Sequence, residues 1–189
     1  SLYHFSSRDL TLLSALIRQR IGLTFNEDKF DLMAEKLAPL LAEHGMDSFL
    51  DYYYFLKYDP HSESEWAQVE QALTVNETYF WREFGAIRVA AERIVPHLQR
   101  TRPEKPVRIW HAACASGEEP YSMVMALLEG ARFLYGTIDV LGTDIDRQAL
   151  AQAQSGVYGL RSFRSIPPEI QARYFQRVDD ASFRLTPTV

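Results

Sequence analysis

The 189-residue chain has one cysteine, Cys114, so no internal disulfide framework can staple it. Its histidines, His4, His44, His61, His97 and His111, show no metal-ligand spacing with that cysteine or with one another. No apolar run reaches the roughly 18 residues a membrane span needs. The first residues also lack the basic, apolar, cleavable pattern of a secretory signal. These absences point to a reducing cytoplasm and to no membrane insertion. The chain does not open on methionine, as expected of a processed or engineered start. A formal charge of −5 and the lack of any basic stripe argue against a nucleic-acid partner. Internal repeats and low-complexity segments are absent too. Apolar residues, in contrast, make up 47% of the chain, enough for a real core in one or two small domains.

From Phe5 to about Thr74 the pattern is helical throughout. Ser6 or Ser7 can cap a first helix, Leu10, Leu13, Ile17 and Ile21 recur at helical spacing, and Gly22 supplies a stop. A second helix is expected from Asn26, with Phe30, Met33, Leu37, Leu40 and Leu41 as its stripe and Pro39 as a possible kink. Asp47 or Ser48 opens a third, through Phe49, Leu50, Tyr53, Tyr54 and Leu56, and a fourth begins near Glu63 with Trp66, Val69 and Leu73. Core packing is the plain reading of these aromatics.

After Pro106 the pattern changes to alternating strand and helix. The predicted organisation is therefore an all-α domain over 1–74, a linking helix region over 75–106 and a partial Rossmann-like domain over 107–189. Within the linking region, Thr78 and Arg82 of NETYFWR would share a face on a helix, which reads as a capped helix start. Ile87, Ala90, Ala91, Ile94 and Val95 continue as an amphipathic helix expected to pack on the sheet.

The stretch VRIWHAACASGEEPYS, 107–122, organises the rest. Val107, Ile109 and Trp110 read as a buried strand ending at His111, followed by a run of small residues, Ala112 to Gly117, that lets backbone N–H groups approach a ligand. Gly117 can take the positive φ such a turn needs. Glu118, Glu119 and Pro120 then open a helix. Two carboxylates at that helix start would repel a pyrophosphate, so a phosphate ligand is excluded in favour of a cationic or hydroxyl-bearing one. A second apolar strand, IDVLGTDID at 138–146, ends in acidic residues. Asp144 lies twenty-seven positions after Gly117, near the spacing at which a Rossmann-type unit sets an acid on ribose hydroxyls. S-adenosylmethionine, with its ribose, amino-acid end and sulfonium, fits such a site. A nicotinamide dehydrogenase does not, because the turn has a single glycine and carboxylates where phosphate would sit.

Three strings in order, VNETYFWRE (75–83), HAACASGEEPYSM (111–123) and GTDID (142–146), resemble the chemotaxis receptor methyltransferase (CheR) family. The later AQSGVYG and IPPEIQARYF are similar to its next segments. The resemblance implies methyl transfer from S-adenosylmethionine to glutamate side chains on a methyl-accepting chemoreceptor or related signalling protein. It further implies that Asn76, Thr78, Arg82, Glu118 and Asp144 line the cofactor pocket, with Arg82 near the transferred methyl group as the catalytic candidate. Glu118 is expected on the cofactor's amino group and Asp144 on its ribose, while Glu119 and Asp146 are read as bystanders, Asp146 as a helix cap. Cys114 is read as a small packing residue.

The chain departs from the family in two respects. Family members continue through further strands, so a partial methyltransferase domain is expected after Val157: a loop to Ser165, a short helix from Pro167 to Phe175, and a strand over 182–189. Residues 1–74 carry six Lys/Arg against twelve Asp/Glu, so the helical domain has no long-range attraction for a glutamate-rich partner, although a local patch around Arg18 and Arg20 could still dock one. The alternative function is a truncated, non-catalytic module that binds S-adenosylmethionine or another protein.

Overall fold

Ser6 starts the first helix through a reciprocal cap. Its hydroxyl accepts the Asp9 N–H at 3.2 Å while the Asp9 carboxylate accepts the Ser6 N–H at 3.3 Å. Helix α1 spans Ser7–Ile21 and ends at Gly22, whose φ of 78° is the left-handed stop expected there. The computed structural model describes residues 6–74, 77–130 and 137–189, and the chain divides into two units, Ser1–Val75 and Asn76–Val189.

In the first unit a tight 3-10 turn, Glu27–Lys29, delays helix α2 to Phe30–Glu43, which runs on through Pro39. Ser48 caps α3, Phe49–Tyr58, by accepting the Asp51 N–H at 3.3 Å, and α4 spans Ser62–Leu73. Leu13, Ile17, Met33, Leu37, Leu41, Tyr52 and Val69 are fully buried, each contributing about 1.5–3 kcal/mol of apolar transfer free energy. The aromatic residues divide between core and surface. Tyr52 and Tyr53 are in the core, but Tyr54 is 50% exposed on the outer face of α3. Glu65 is buried among these residues and accepts hydrogen bonds from Tyr52 Oη at 2.5 Å and Gln68 Nε2 at 3.0 Å, with His44 Nε2 at 2.9 Å.

The second unit opens on irregular backbone at 77–79 and a turn at 80–83, so Thr78 and Arg82 do not share a helix face as expected. The reason is local: Trp81 and Glu83 sit at φ 65° and 48°, which no continuous right-handed helix allows. Helix α5, Phe84–Val89, passes through a π-turn, Ala90–Ile94, into α6, Val95–Thr101. Pro96 lacks an N–H, which leaves a carbonyl one turn earlier without its donor and favours the wider turn just before it. That extra residue shifts the helical phase. Ile87, Ala91 and Val95 face the core, and Ile94, expected there with them, is 51% exposed.

Strands β1, Val107–Ala112, and β2, Ile138–Thr143, pair in parallel with Val107 opposite Ile138 and His111 opposite Gly142. Helix α7, Glu118–Glu129, lies between them in the chain. Val107, Ile138, Met123 and Leu127 form a core with α5 and α6. Side chains alternate along β1, so Val107 and His111 are buried and Trp110 points the other way, 69% exposed, contrary to its reading as a core residue. Trp110 Nε1 donates to Thr143 Oγ1 across the two strands at 2.9 Å.

Helix α8, Arg147–Ser155, follows β2 and is capped by Asp146, which accepts the N–H groups of Gln148 and Ala149 at 2.8 and 3.0 Å. The stretch expected as a loop contains strand β3, Val157–Gly159, and a 3-10 turn, Leu160–Phe163. Helix α9 covers Pro168–Tyr174, Phe175 opens strand β4, Phe175–Arg177, and β5, Ser182–Leu185, stops short of the expected end at Val189. These three strands form a separate antiparallel sheet in the order β3-β5-β4. The architecture is an all-α unit followed by a partial Rossmann-like unit in which a small antiparallel sheet succeeds the β1-α7-β2-α8 run.

Candidate functional site

The turn between β1 and α7 holds three residues in left-handed backbone: Ala113 at φ 60°, Ala115 at 46° and Gly117 at 90°. The glycine was legible in the sequence. The two alanines were not, since each carries a strain of about 1–2 kcal/mol that only tertiary contacts offset. Asp144 supplies one such contact, with Oδ2 accepting the Ala115 N–H at 2.7 Å and Oδ1 accepting the Asp146 N–H at 2.8 Å. The Cys114 N–H donates to the Thr143 carbonyl at 3.0 Å. Asp144 thus ties the ends of β1 and β2 together, and a carboxylate with about four acceptor positions retains two for a ligand.

Gly117 also fills a steric requirement. A Cβ there would come within 2.8 Å of Ala153 Cβ, and one at Gly142 within 2.9 Å of Cys114 Sγ. The Cys114 thiol is buried, and burial, followed by the negative charge of Asp144, pushes its pKa up. That is the opposite of what a nucleophile needs.

Glu118 is only 1% exposed. Its Oε2 accepts from Ser116 Oγ at 2.7 Å and its Oε1 from Ser162 Oγ at 2.9 Å. The neighbouring Glu119 does point outward, yet it is not idle: its Oε1 lies 2.7 Å from Nδ1 of the buried His111. Tyr158 Oη donates to the Ser116 carbonyl at 2.7 Å, bracing the turn from β3.

The NETYFWR segment reaches the same turn through its aromatic anchor. Phe80 is fully buried, 4.8 Å from the Tyr158 ring, 5.4 Å from Phe163 and 4.9 Å from Phe175. Its N–H donates to the Ser162 carbonyl at 2.9 Å, and the Trp81 N–H donates to Ser122 Oγ on α7 at 3.2 Å. Ser162 therefore bonds both Glu118 and Phe80. On either side of this anchor, Thr78 is half-buried and Arg82 exposed. The Arg82 guanidinium donates to the Glu77 carbonyl and lies 5.8 Å from the Tyr79 ring centroid. Asn76, the remaining candidate, lies outside the described residues.

One hydrogen-bonded chain, from Asp144 through Ala115, Ser116, Glu118 and Ser162 to Phe80, thus joins the three strings singled out in the sequence. Sequence reasoning missed Ser162 because it lies in a short, non-periodic stretch with no motif of its own. It is held beside the turn by the 3-10 segment that follows β3 and by the Phe80 N–H on its carbonyl.

The strand-turn-helix with acidic acceptors at the ends of two parallel strands defines a nucleoside-binding Rossmann-like domain of the methyltransferase kind. Residues 76–189 match the family model described as "CheR methyltransferase, SAM binding domain", and residues 8–74 match "CheR methyltransferase, all-alpha domain". The chain belongs to the CheR methyltransferase family. It is 34% identical over 168 residues to chemotaxis protein methyltransferase 2 of Vibrio cholerae, covering 88% of this chain and 58% of that protein. The chemotaxis protein methyltransferases of Salmonella typhimurium and Escherichia coli K12 are 35% and 34% identical over 86% and 87% of this chain. The chain spans 54% and 55% of those two proteins, so it corresponds to little more than half the length of the curated relatives it matches.

The cofactor of the matched domain is S-adenosylmethionine. The residues present fit it: Ala112 and Ala113 of the turn are exposed, and the acceptor set offers carboxylates for hydroxyl and ammonium groups with no lysine or arginine at the helix start for phosphate. No described helix is long and apolar enough to cross a membrane.

Proposed function

We propose that this chain carries the cofactor cradle of a protein-glutamate methyltransferase that acts in the cytoplasm on a methyl-accepting chemoreceptor or related signalling protein. The observation that carries the reading is the shared use of Ser162 by Glu118 and Phe80, which couples the cradle to the segment bearing Arg82. S-adenosylmethionine, when bound, supplies an activated methyl group on a sulfonium leaving group. Asp144 holds the ribose hydroxyls with the acceptor positions that Ala115 and Asp146 do not use. Glu118 serves the amino group, its buried charge already oriented by two serine hydroxyls. Asn76 and Thr78 complete the lining.

Arg82 orients the acceptor carboxylate. An acceptor glutamate is ionised at neutral pH and needs no general base, so catalysis rests on alignment, a contribution of roughly 7–11 kcal/mol. A guanidinium suits this task because its planar fork pairs with both carboxylate oxygens, which a lysine cannot do.

The test is transfer of a labelled methyl group from S-adenosylmethionine to an acidic helical acceptor, read as alkali-labile label released as methanol, the signature of a methyl ester. Arg82→Lys is expected to lower turnover at least about tenfold with cofactor binding retained. Cofactor binding with no ester formation in any acceptor tried would favour the non-catalytic binding module.

A further inference from the structure

A second guanidinium shares the Tyr79 ring with Arg82. The Arg164 guanidinium lies 3.7 Å over the Tyr79 ring whose centroid is 5.8 Å from that of Arg82, and Arg164 Nη2 donates to Glu77 Oε1 at 2.8 Å. Glu77 therefore holds both arginines, Arg82 through its carbonyl and Arg164 through its carboxylate. Arg161 precedes Arg164 by three positions across the 3-10 turn Leu160–Phe163. Side chains three apart eclipse on such a turn, so Arg161 and Arg164 leave on the same side, and both are exposed. The Phe80 to Ser162 backbone bond fixes this turn against the Arg82 segment.

Two other arginines of the unit are ion-paired, Arg173 with Glu129 and Arg177 with Asp180. Arg161 has no ion pair among the described residues. Arg82 and Arg164 thus share Tyr79 and Glu77, with Arg161 leaving the same turn as Arg164, while residues 1–74 carry twelve acidic side chains against six basic. A negatively charged partner gains no long-range attraction from the net charge of the helical unit and meets a cluster of cations here.

We propose that Arg161 and Arg164 form, with Arg82, a docking rim for an acidic, glutamate-bearing segment of the acceptor. Arg164 is pre-set by Tyr79 and Glu77, and Arg161 is the free electrostatic contact. The inference rests on the methyltransferase reading for its purpose, though not for its measurement.

The experiment is fluorescence anisotropy of a fluorescein-labelled glutamate–alanine helical peptide titrated with this chain at low and near-physiological salt. The same proteins are titrated in parallel with S-adenosylhomocysteine. Salt-sensitive capture is expected, weakened roughly fivefold or more in Arg161→Gln/Arg164→Gln and in the single Arg161→Glu. Arg100→Gln, a cation remote from this turn in the chain, should capture as the parent does. S-adenosylhomocysteine affinity should be unchanged in all three. No capture by the parent, equal capture by Arg161→Glu, or an equal loss in Arg100→Gln overturns the rim. Peptide capture with no S-adenosylhomocysteine binding overturns the cofactor reading instead.

Discussion

Ser162 donates its hydroxyl to Glu118 at 2.9 Å although forty-four residues separate them in the chain. Glu118 is 1% exposed, and among the described residues this serine and Ser116 donate hydroxyls to its carboxylate. Ser162→Ala is expected to leave one buried carboxylate oxygen without a partner, destabilising that unit by about 1–3 kcal/mol in urea unfolding. It should also weaken S-adenosylhomocysteine binding, because Glu118 loses its orientation. Wild-type stability and affinity in this variant would show that Glu118 is held by other means.

Tyr158 sets the response to alkali. Its phenol is buried, and burial first, then the charge of Glu118, pushes its pKa well above the ordinary value. The unfolded phenol ionises near about pH 10 while the folded one does not. The stabilisation is therefore whole below pH ~10 and lost as pH rises beyond it, by up to ~1.4 kcal/mol per pH unit for one such group. Tyr174, pushed up to about 12 by burial and by its bond to Glu129, adds to the same loss. Denaturant titrations between neutral and strongly alkaline pH should show a shallower fall for Tyr158→Phe than for the parent. That variant should be less stable at neutral pH by about 1 kcal/mol, having lost the bond to the Ser116 carbonyl.

Cys114 is expected to be unreactive. Its thiol is buried in the turn and its pKa is raised, so a thiol-disulfide reagent near neutral pH should label the folded chain at least about tenfold more slowly than the chain in denaturant. Cys114→Ala should leave S-adenosylhomocysteine affinity within about twofold of the parent, since the thiol packs beside Gly142 without reaching a polar partner on another element. Fast labelling in the folded state would contradict the packing role.

Much of the fold was legible because the signals were local. Ser6, Gly22, Ser48 and Asp146 cap their helices through their own or neighbouring backbone, which residue type alone announces. The apolar-strand, small-turn, acidic-helix order around Gly117 was equally plain. What escaped depends on partners far along the chain. Ala113 and Ala115 hold left-handed backbone in a turn tied down by Asp144. Trp110 faces outward because β1 alternates, and an aromatic in an apolar run does not reveal which face it joins. Ile94 is turned outward by a π-turn that periodicity assumes away. In the candidate site, Glu118 and Asp144 were recognisable from spacing and resemblance, whereas Ser162, Tyr79 and Arg164 reach it only through the packing of Phe80 against Tyr158 and Phe163.

The central claim is a nucleoside cradle anchored on Asp144, and the direct measurement is calorimetric titration of this chain with S-adenosylhomocysteine beside Asp144→Asn. The asparagine keeps an acceptor oxygen for the Ala115 N–H while losing the charge and one oxygen, so it separates ligand binding from turn geometry better than alanine does. Saturable binding by the parent, weakened about tenfold or more in a variant that still unfolds cooperatively, is the expected result. Equal affinity in the two proteins, or no binding by a cooperatively folded parent, would contradict it.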